Sequence, residues 1–270
     1  MRLLYCGDIM GKPGRDVVVA EIPRLRRELG LDFVVACGEN AAHGFGITAL
    51  ICQQLFDAGV DVITTGNHAW DQREIVTYIA AEPRLLRPLN YPPETPGQGM
   101  GFYKTAKGQR VIVIQVMGRL YMDPLDDPFR ALDEALKMHP LRDAADAIMI
   151  DLHAEASSEK GALAHIADGR ASMAVGSHTH VPTADARLMP GGTAFQSDAG
   201  MCGVYDSVIG MNKHIATERF VTKMRGERLE PAEGAATLCG VYVETDDRTG
   251  LAMRIAPVRV GGHLTPSGLL

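Results

Sequence analysis

The sequence has no CxxC pair, no long run of charge of either sign, no apolar run of membrane-spanning length, no internal repeat and no low-complexity tract. Each absence removes a class of function. Cys6, Cys37, Cys52, Cys202 and Cys239 are an odd and scattered set, so a zinc knuckle or dithiol redox couple has no residues to build it. They fit a reducing cytoplasm, where cysteine is mostly a small buried apolar residue. Acidic residues number 33 against 27 basic ones, with no basic stripe to hold duplex nucleic acid or an anionic bilayer. Large nucleic acids and membranes are therefore not expected partners. Only five residues separate Met1 from Gly7, and they already read as a strand, so a basic leader with an apolar signal core does not fit there.

What is present suffices for a large core: 270 residues, 46% of them hydrophobic and 22% charged, expected as one domain over 1–270. An apolar run at 3–6 stops at Gly7-Asp8. A helical pattern through Val18, Ile22, Leu25 and Leu29 follows and closes at Gly30, with a kink or break expected at Pro23. The unit repeats as strand 33–37, helix 47–58, strand 62–65 and helix 72–81. That alternation predicts parallel β-structure covered by helices.

Residues 102–106 and 111–116 flank a Lys107-Gly108-Gln109 turn and read as an antiparallel hairpin, where a second layer begins. Helix 128–138, strand 147–152, helix 155–167 and strand 173–175 resume the earlier rhythm. A strand-like 193–196 comes next, and 201–234 shows little periodicity and reads as a surface excursion, either a lid or a contact in a homo-oligomer. A terminal hairpin pairs 239–244 with 251–258.

Five of the expected strands end in groups that bind metals: Asp8, then Glu39-Asn40, Asn67-His68, His153, and His178 with His180. In a parallel sheet such ends lie along one edge, the edge where α/β proteins bind ligands. An aspartate after a strand is by itself usually a turn or cap residue. Five strand ends that all carry carboxylate, carboxamide or imidazole are a different matter, and the joint pattern points to a site.

The donors are oxygen and nitrogen without thiolate, which suits iron, manganese or catalytic zinc and not a structural zinc. A carboxylate can bridge two cations about 3.5–4 Å apart in a hydrolytic centre, and Glu39 stands between the other ligand-bearing strands. His178 and His180, on one side of an extended segment, can serve one ion each. The loop from Gly7 to Gly14 fails as a nucleotide-binding P-loop, because Gly11-Lys12 comes one residue early and Pro13 replaces the magnesium-binding hydroxyl.

The ordered set Gly7-Asp8, Gly38-Glu39-Asn40, Gly66-Asn67-His68, His153 and Gly176-Ser177-His178-Thr179-His180 resembles the calcineurin-like metallophosphoesterases. The stretches 7–15, 38–42, 44–48 and 198–203 look more closely like their bacterial YmdB-like branch, and that likeness covers almost the whole chain. The broad family's first motif ends in a histidine where this chain has Met10, and its second motif has aspartate where this chain has Glu39. Both departures are similar to the YmdB-like pattern, in which a carboxamide beside the bridging glutamate makes up for the lost imidazole.

Asn40 is carried over as a ligand on that ground. The resemblance implies Asp8, Glu39, Asn40 and His180 around one metal ion, and Glu39, Asn67, His153 and His178 around the other. It further implies a four-layer α/β/β/α sandwich, two ions per chain with iron first and manganese or zinc as alternatives, and 2′,3′-cyclic nucleotides as substrates opened to 3′-phosphates.

His68 directly follows Asn67 and keeps its own imidazole free, which makes it the candidate to protonate the departing ribose oxygen. A role as helix cap or ligand-orienting group is the competing reading. His43 lies in a glycine-rich loop and reads as a solvated side chain or a substrate contact. Trp70 reads as packing beneath the metal loop, with base stacking as the alternative. His139, His165, His214 and His263 lack ligand-type neighbours. A phosphomonoesterase or phosphoprotein phosphatase would use the same metals, and a regulatory or scaffolding protein would keep the fold; sequence separates the two enzyme readings poorly.

Overall fold

The computed structural model describes residues 1–224 and 226–267. Along the chain run β1 (Arg2–Cys6), β2 (Asp8–Ile9), α1 (Gly11–Leu29), β3 (Phe33–Cys37), α2 (Ala49–Asp57), β4 (Val62–Thr64), α3 (Ile75–Ala81) and β5 (Leu85–Leu86). Next come β6 (Met100–Lys104), β7 (Arg110–Met117), α4 (Pro128–Met138), β8 (Ala147–His153), α5 (Ser157–Ala167) and β9 (Met173–Ser177). The last part contains β10 (Arg187–Leu188), β11 (Ala194–Gln196), β12 (Met201–Val204), α6 (Lys213–Thr222), β13 (Ala236–Thr245) and β14 (Ala252–Val260).

These strands form two sheets. One has the order β2-β12-β13-β1-β3-β4-β5 with β14 on the far side of β13, and the other the order β10-β11-β9-β8-β7-β6. Strands β1, β3, β4 and β5 are parallel, as are β7, β8, β9 and β11. The expected hairpins β6/β7 and β13/β14 are antiparallel.

The two-residue period of each strand sorts its side chains between layers. In β1 and β3, Leu4, Cys6, Val34 and Ala36 pack with Val18, Ile22 and Leu25 of α1. Their neighbours Leu3, Tyr5, Phe33, Val35 and Cys37 face the second sheet and meet Val111, Val113, Met149, Met173 and Val175. On the outer face of that sheet Ile112, Ile114, Ile148, Ile150 and Leu152 pack with Leu132 and Leu136 of α4 and Leu163 of α5. Helix, sheet, sheet, helix is the four-layer α/β/β/α sandwich.

Helix ends follow their local chemistry. Gly30 takes the left-handed conformation (φ 63°) and its N–H caps the carbonyl of Arg26, closing α1. Asp127 accepts from the backbone of Phe129 and Arg130 to start α4.

Three expectations change. Helix α1 runs without a break from Gly11 to Leu29 with Pro23 inside it, and the residue whose carbonyl loses its donor there, Val19, is an exposed one. The ligand-bearing strand ends belong to two facing sheets, not to one edge. The excursion expected from residue 201 leaves the sheet only after Val204: β12 is buried, pairs with β2 and β13, and leads to a loop and α6. Four residues are too few to display periodicity, which hid that strand.

Candidate metal centre

Strand β1 delivers Asp8 through the short β2, β3 delivers Glu39 and Asn40, and β4 delivers Asn67 and His68, all on one sheet. Strands β8 and β9 deliver His153, His178 and His180 from the other. Asp8 and His178, 170 positions apart, are joined by a hydrogen bond in which the His178 backbone N–H donates to Asp8 Oδ2 at 3.0 Å.

The donors fall into two groups. His153 Nε2 lies 3.3 Å from Glu39 Oε1 and 3.0 Å from Asn67 Oδ1, and its ring centroid is 4.9 Å from that of His178. Glu39, His153 and His178 present ligand atoms within 4.8 Å of one another. In the second group His180 Nε2 lies 3.2 Å from Asn40 Oδ1, while its Nδ1 faces the carbonyl of Ile209 at 2.7 Å. The Asn40 amide donates to the Gly44 carbonyl at 2.9 Å, which turns its oxygen toward His180. All seven expected ligand residues thus converge where the sheets face each other. His178 and His180 both adopt left-handed backbones (φ 94° and 66°), an uncommon state for a side chain other than glycine.

Burial organises the electrostatics. Glu39 and His153 are almost wholly enclosed. Burial pushes the Glu39 carboxyl up, but the His153 imidazole pulls it down further, to about 2. Burial lowers His153 while Glu39 raises it, with a net value of about 9. Burial and the charge of His153 together lower His178 to about 3, and burial raises Asp8. An enclosed acidic site that draws a proton onto one imidazole is a field that a cation satisfies equally well.

A Cβ added at Gly66 would lie 2.2 Å from Glu39 Oε2 and 2.3 Å from His153 Nε2, so only glycine lets these two donors approach each other there. Oxygen and imidazole donors so placed fit iron, manganese or zinc.

Cys37 is a neighbour that ligand spacing did not single out. Its Sγ lies 3.3 Å from Asp8 Oδ1, and together with His153 these atoms also fall within 4.8 Å of one another. Burial and the flanking carboxylates push the thiol well above its usual range, so the neutral S–H donates to Asp8.

His68 lies at the rim. Its backbone N–H donates to Glu39 Oε2 at 3.1 Å, its Nδ1 faces Asp71 Oδ2 at 2.7 Å, and Phe45 packs edge-on against the ring. Nε2 is left available. Trp70 is half-buried and packs edge-to-face with Tyr91 at 5.7 Å and against the helix-side core. His43 is exposed on its loop and lines a cavity of about 980 Å³ with Lys12, Lys213 and His214.

Sequence reasoning also missed Asp151, Ser177, Lys160 and Asp198. The buried Lys160 Nζ donates to Asp198 Oδ2 at 2.7 Å, and that oxygen also accepts from the backbone and hydroxyl of Thr179, between the two histidines. Asp151 was findable, because strand alternation puts it on the same face as His153 two residues later. Lys160 had no such signal on a helix that reads as ordinary amphipathic surface.

A family model described as YmdB-like protein matches residues 4–258. The chain belongs to the YmdB-like family. It is 45% identical over 260 residues to the 2′,3′-cyclic-nucleotide 2′-phosphodiesterase of Bacillus subtilis (strain 168), covering 96% of this chain and 97% of that protein. Two solved structures superpose with a TM-score of 0.89. One, a hypothetical protein from Thermus thermophilus, is 42% identical and covers 97% of this chain and 100% of its own. The other, described as a novel phosphatase from Mycoplasma pneumoniae, is 32% identical and covers 97% of this chain and 93% of its own. The four-layer sandwich is thus shared by this chain and both solved structures. Among the described residues, no helix is long and apolar enough to cross a membrane.

Proposed function

We propose that this chain is a dinuclear metal-dependent phosphodiesterase that opens 2′,3′-cyclic nucleotides to 3′-phosphates, with His68 as general acid. The observation that carries the reading is the convergence of Asp8, Glu39, Asn40, Asn67, His153, His178 and His180 at facing strand ends, with Glu39 and His153 close against Gly66. The Bacillus subtilis relative supports the substrate class.

Glu39 would be the residue both ions share, with Asp8, Asn40 and His180 holding one and Asn67, His153 and His178 the other. Iron is the native metal we propose. When bound, the two ions supply neutralisation of the phosphoryl oxygens and a water acidic enough to ionise near neutral pH.

The protein's own contribution is positioning and one proton. Glu39 Oε2 holds the His68 backbone, so the general acid is fixed to the carboxylate at the centre of the site. Asp71 pairs with His68 Nδ1, which leaves Nε2 as the nitrogen that can carry a proton to the substrate. That proton goes to O2′ as its bond to phosphorus breaks, leaving a free 2′-hydroxyl and a 3′-phosphate.

The description of the Mycoplasma pneumoniae structure as a phosphatase favours a second reading, phosphomonoester hydrolysis at the same centre. One experiment separates them: metal analysis of purified protein joined to a panel of 2′,3′-cyclic, 3′,5′-cyclic and linear diesters and phosphomonoesters. Two ions per chain with selective turnover of the 2′,3′-cyclic substrates is the expected result. Selective turnover of monoesters overturns the substrate assignment, and a purified chain without metal overturns the centre.

A further inference from the structure

Beneath the proposed ligands the inner faces of four strands turn from apolar to polar. Thr64 of β4, Gln115 of β7, Asp151 of β8 and Ser177 of β9 point into the space between the sheets, and none is more than 1% exposed. Their hydrogen bonds form one directed chain. Asp151 Oδ2 accepts from Thr64 Oγ1 at 2.6 Å and from Gln115 Nε2 at 2.9 Å. Asp151 Oδ1 accepts from Ser177 Oγ at 2.6 Å, and the same hydroxyl oxygen lies 2.8 Å from His153 Nδ1.

Proton counting gives this chain a direction. An ionised carboxylate only accepts, and a hydroxyl has one proton to donate. The Ser177 proton therefore goes to Asp151, and a serine lone pair faces His153. His153 must present N–H at Nδ1, so Nε2 is the nitrogen that can give a lone pair to a cation. Nε2 is also the atom beside Glu39 and Asn67.

We infer that Asp151 and Ser177 are positioning residues that hold His153 in the Nδ1–H form and so present Nε2 as a metal ligand. The inference rests on the proposed role of His153 as a ligand. It adds a carboxylate, relayed through a hydroxyl, that sets the tautomer of that ligand. Outer partners of this kind change metal affinity by roughly 10–100-fold.

The direction of the chain makes a distinctive prediction for Asp151→Asn. Thr64 and Gln115 are both donors, so they retain the amide oxygen on their side and turn its NH₂ toward Ser177. Ser177 then accepts from the amide and donates to His153 Nδ1, which drives the ring proton to Nε2, where it blocks the metal. Ser177→Ala only removes a partner and leaves the ring free to choose. The near-isosteric substitution is therefore expected to do more harm than the truncation, an order that loss of packing alone does not produce. Ser177→Thr keeps the hydroxyl and should rescue.

The full chain, stripped with a chelator, is dialysed against manganese(II) to obtain the affinity and stoichiometry of wild type, Ser177→Ala, Ser177→Thr and Asp151→Asn. Thermal melting of the metal-free proteins checks that each is folded. Wild type should take up two ions. Ser177→Ala should weaken one of them by roughly 10–100-fold, Asp151→Asn should weaken that ion further, and Ser177→Thr should stay near wild type. Equal weakening of both ions, wild-type affinity in Asp151→Asn, or an Asp151→Asn variant less impaired than Ser177→Ala overturns the relay while the metal centre stands. A wild type that binds no manganese removes the centre and the relay together.

Discussion

Replacing His68 with alanine tests the proposed chemistry most directly, because the structure separates what the side chain does from what the backbone does. The bond to Glu39 comes from the His68 backbone N–H at 3.1 Å and survives the substitution, so the shared carboxylate keeps that partner. The imidazole itself is partly exposed at the rim, with 28% of its side-chain surface accessible, so its removal leaves no sealed cavity and costs little stability. What disappears is the proposed proton donor, an imidazole paired with Asp71 at 2.7 Å. General acid catalysis contributes roughly 10²–10⁴-fold, or about 2.7–5.4 kcal/mol of transition-state stabilisation.

That loss should fall on a 2′,3′-cyclic nucleotide, whose ribose oxygen leaves poorly without a proton. It should largely spare bis-nitrophenyl phosphate, whose leaving group departs as a stable anion. The assay is kcat/KM for both substrates on one metal-replete His68→Ala preparation, with metal content measured on the same sample. A loss at least tenfold greater for the cyclic nucleotide is expected. Equal losses would refute the general-acid assignment and point instead to phosphoryl binding or to orientation of Asn67.

Metal content, stability and association state give four more predictions. Glu39→Ala should deplete both ions, whereas His180→Ala should mainly weaken the one it shares with Asn40; elemental analysis by mass spectrometry reads both, and equal depletion by the two variants counts against a shared glutamate. Gly66→Ala should lower metal occupancy with only a modest change in melting temperature, because the added Cβ meets the ends of two side chains, Glu39 and His153. Gly176→Ala should cost about 1–3 kcal/mol or more of stability in a denaturant titration, because its Cβ would lie 1.7 Å from the Ser197 carbonyl oxygen, part of the backbone. Excising α6 while keeping Ile209, the partner of His180 Nδ1, should leave metal content near normal and change either kinetics or the solution mass, since Phe220, Val221 and Met224 are exposed there; no change in either rules out a lid and a subunit contact.

Local pattern carried much of the architecture. β3 and α4 lie where composition and turn residues put them, and β1, β4, β8 and β9 differ by a residue or two at their ends, because apolar runs and caps are properties of neighbouring residues. The donor types of the proposed site were legible for the same reason: Asp8, Glu39, Asn67, His153, His178 and His180 each stand at or just after the end of a strand, and a strand end is visible in sequence. Cys37, Asp151, Ser177, Lys160 and Asp198 were not read as part of the site. Each acts through a partner at least 19 residues away, except that Asp151 also shares a strand face with His153.

Local pattern in the sequence was therefore enough for the longer strands, the Gly30 cap and the donor chemistry at the strand ends that carry it. Tertiary structure alone decided that these ends come from two facing sheets, which imidazole meets which carboxylate or carboxamide, and what lies beneath them. The reason is physical: hydrophobic periodicity reports which side of an element is buried, but it is blind to what that side is buried against. The polar layer of Thr64, Gln115, Asp151 and Ser177 exists only once β4 and β7–β9 face one another, and only then does the proton of Ser177 acquire a direction.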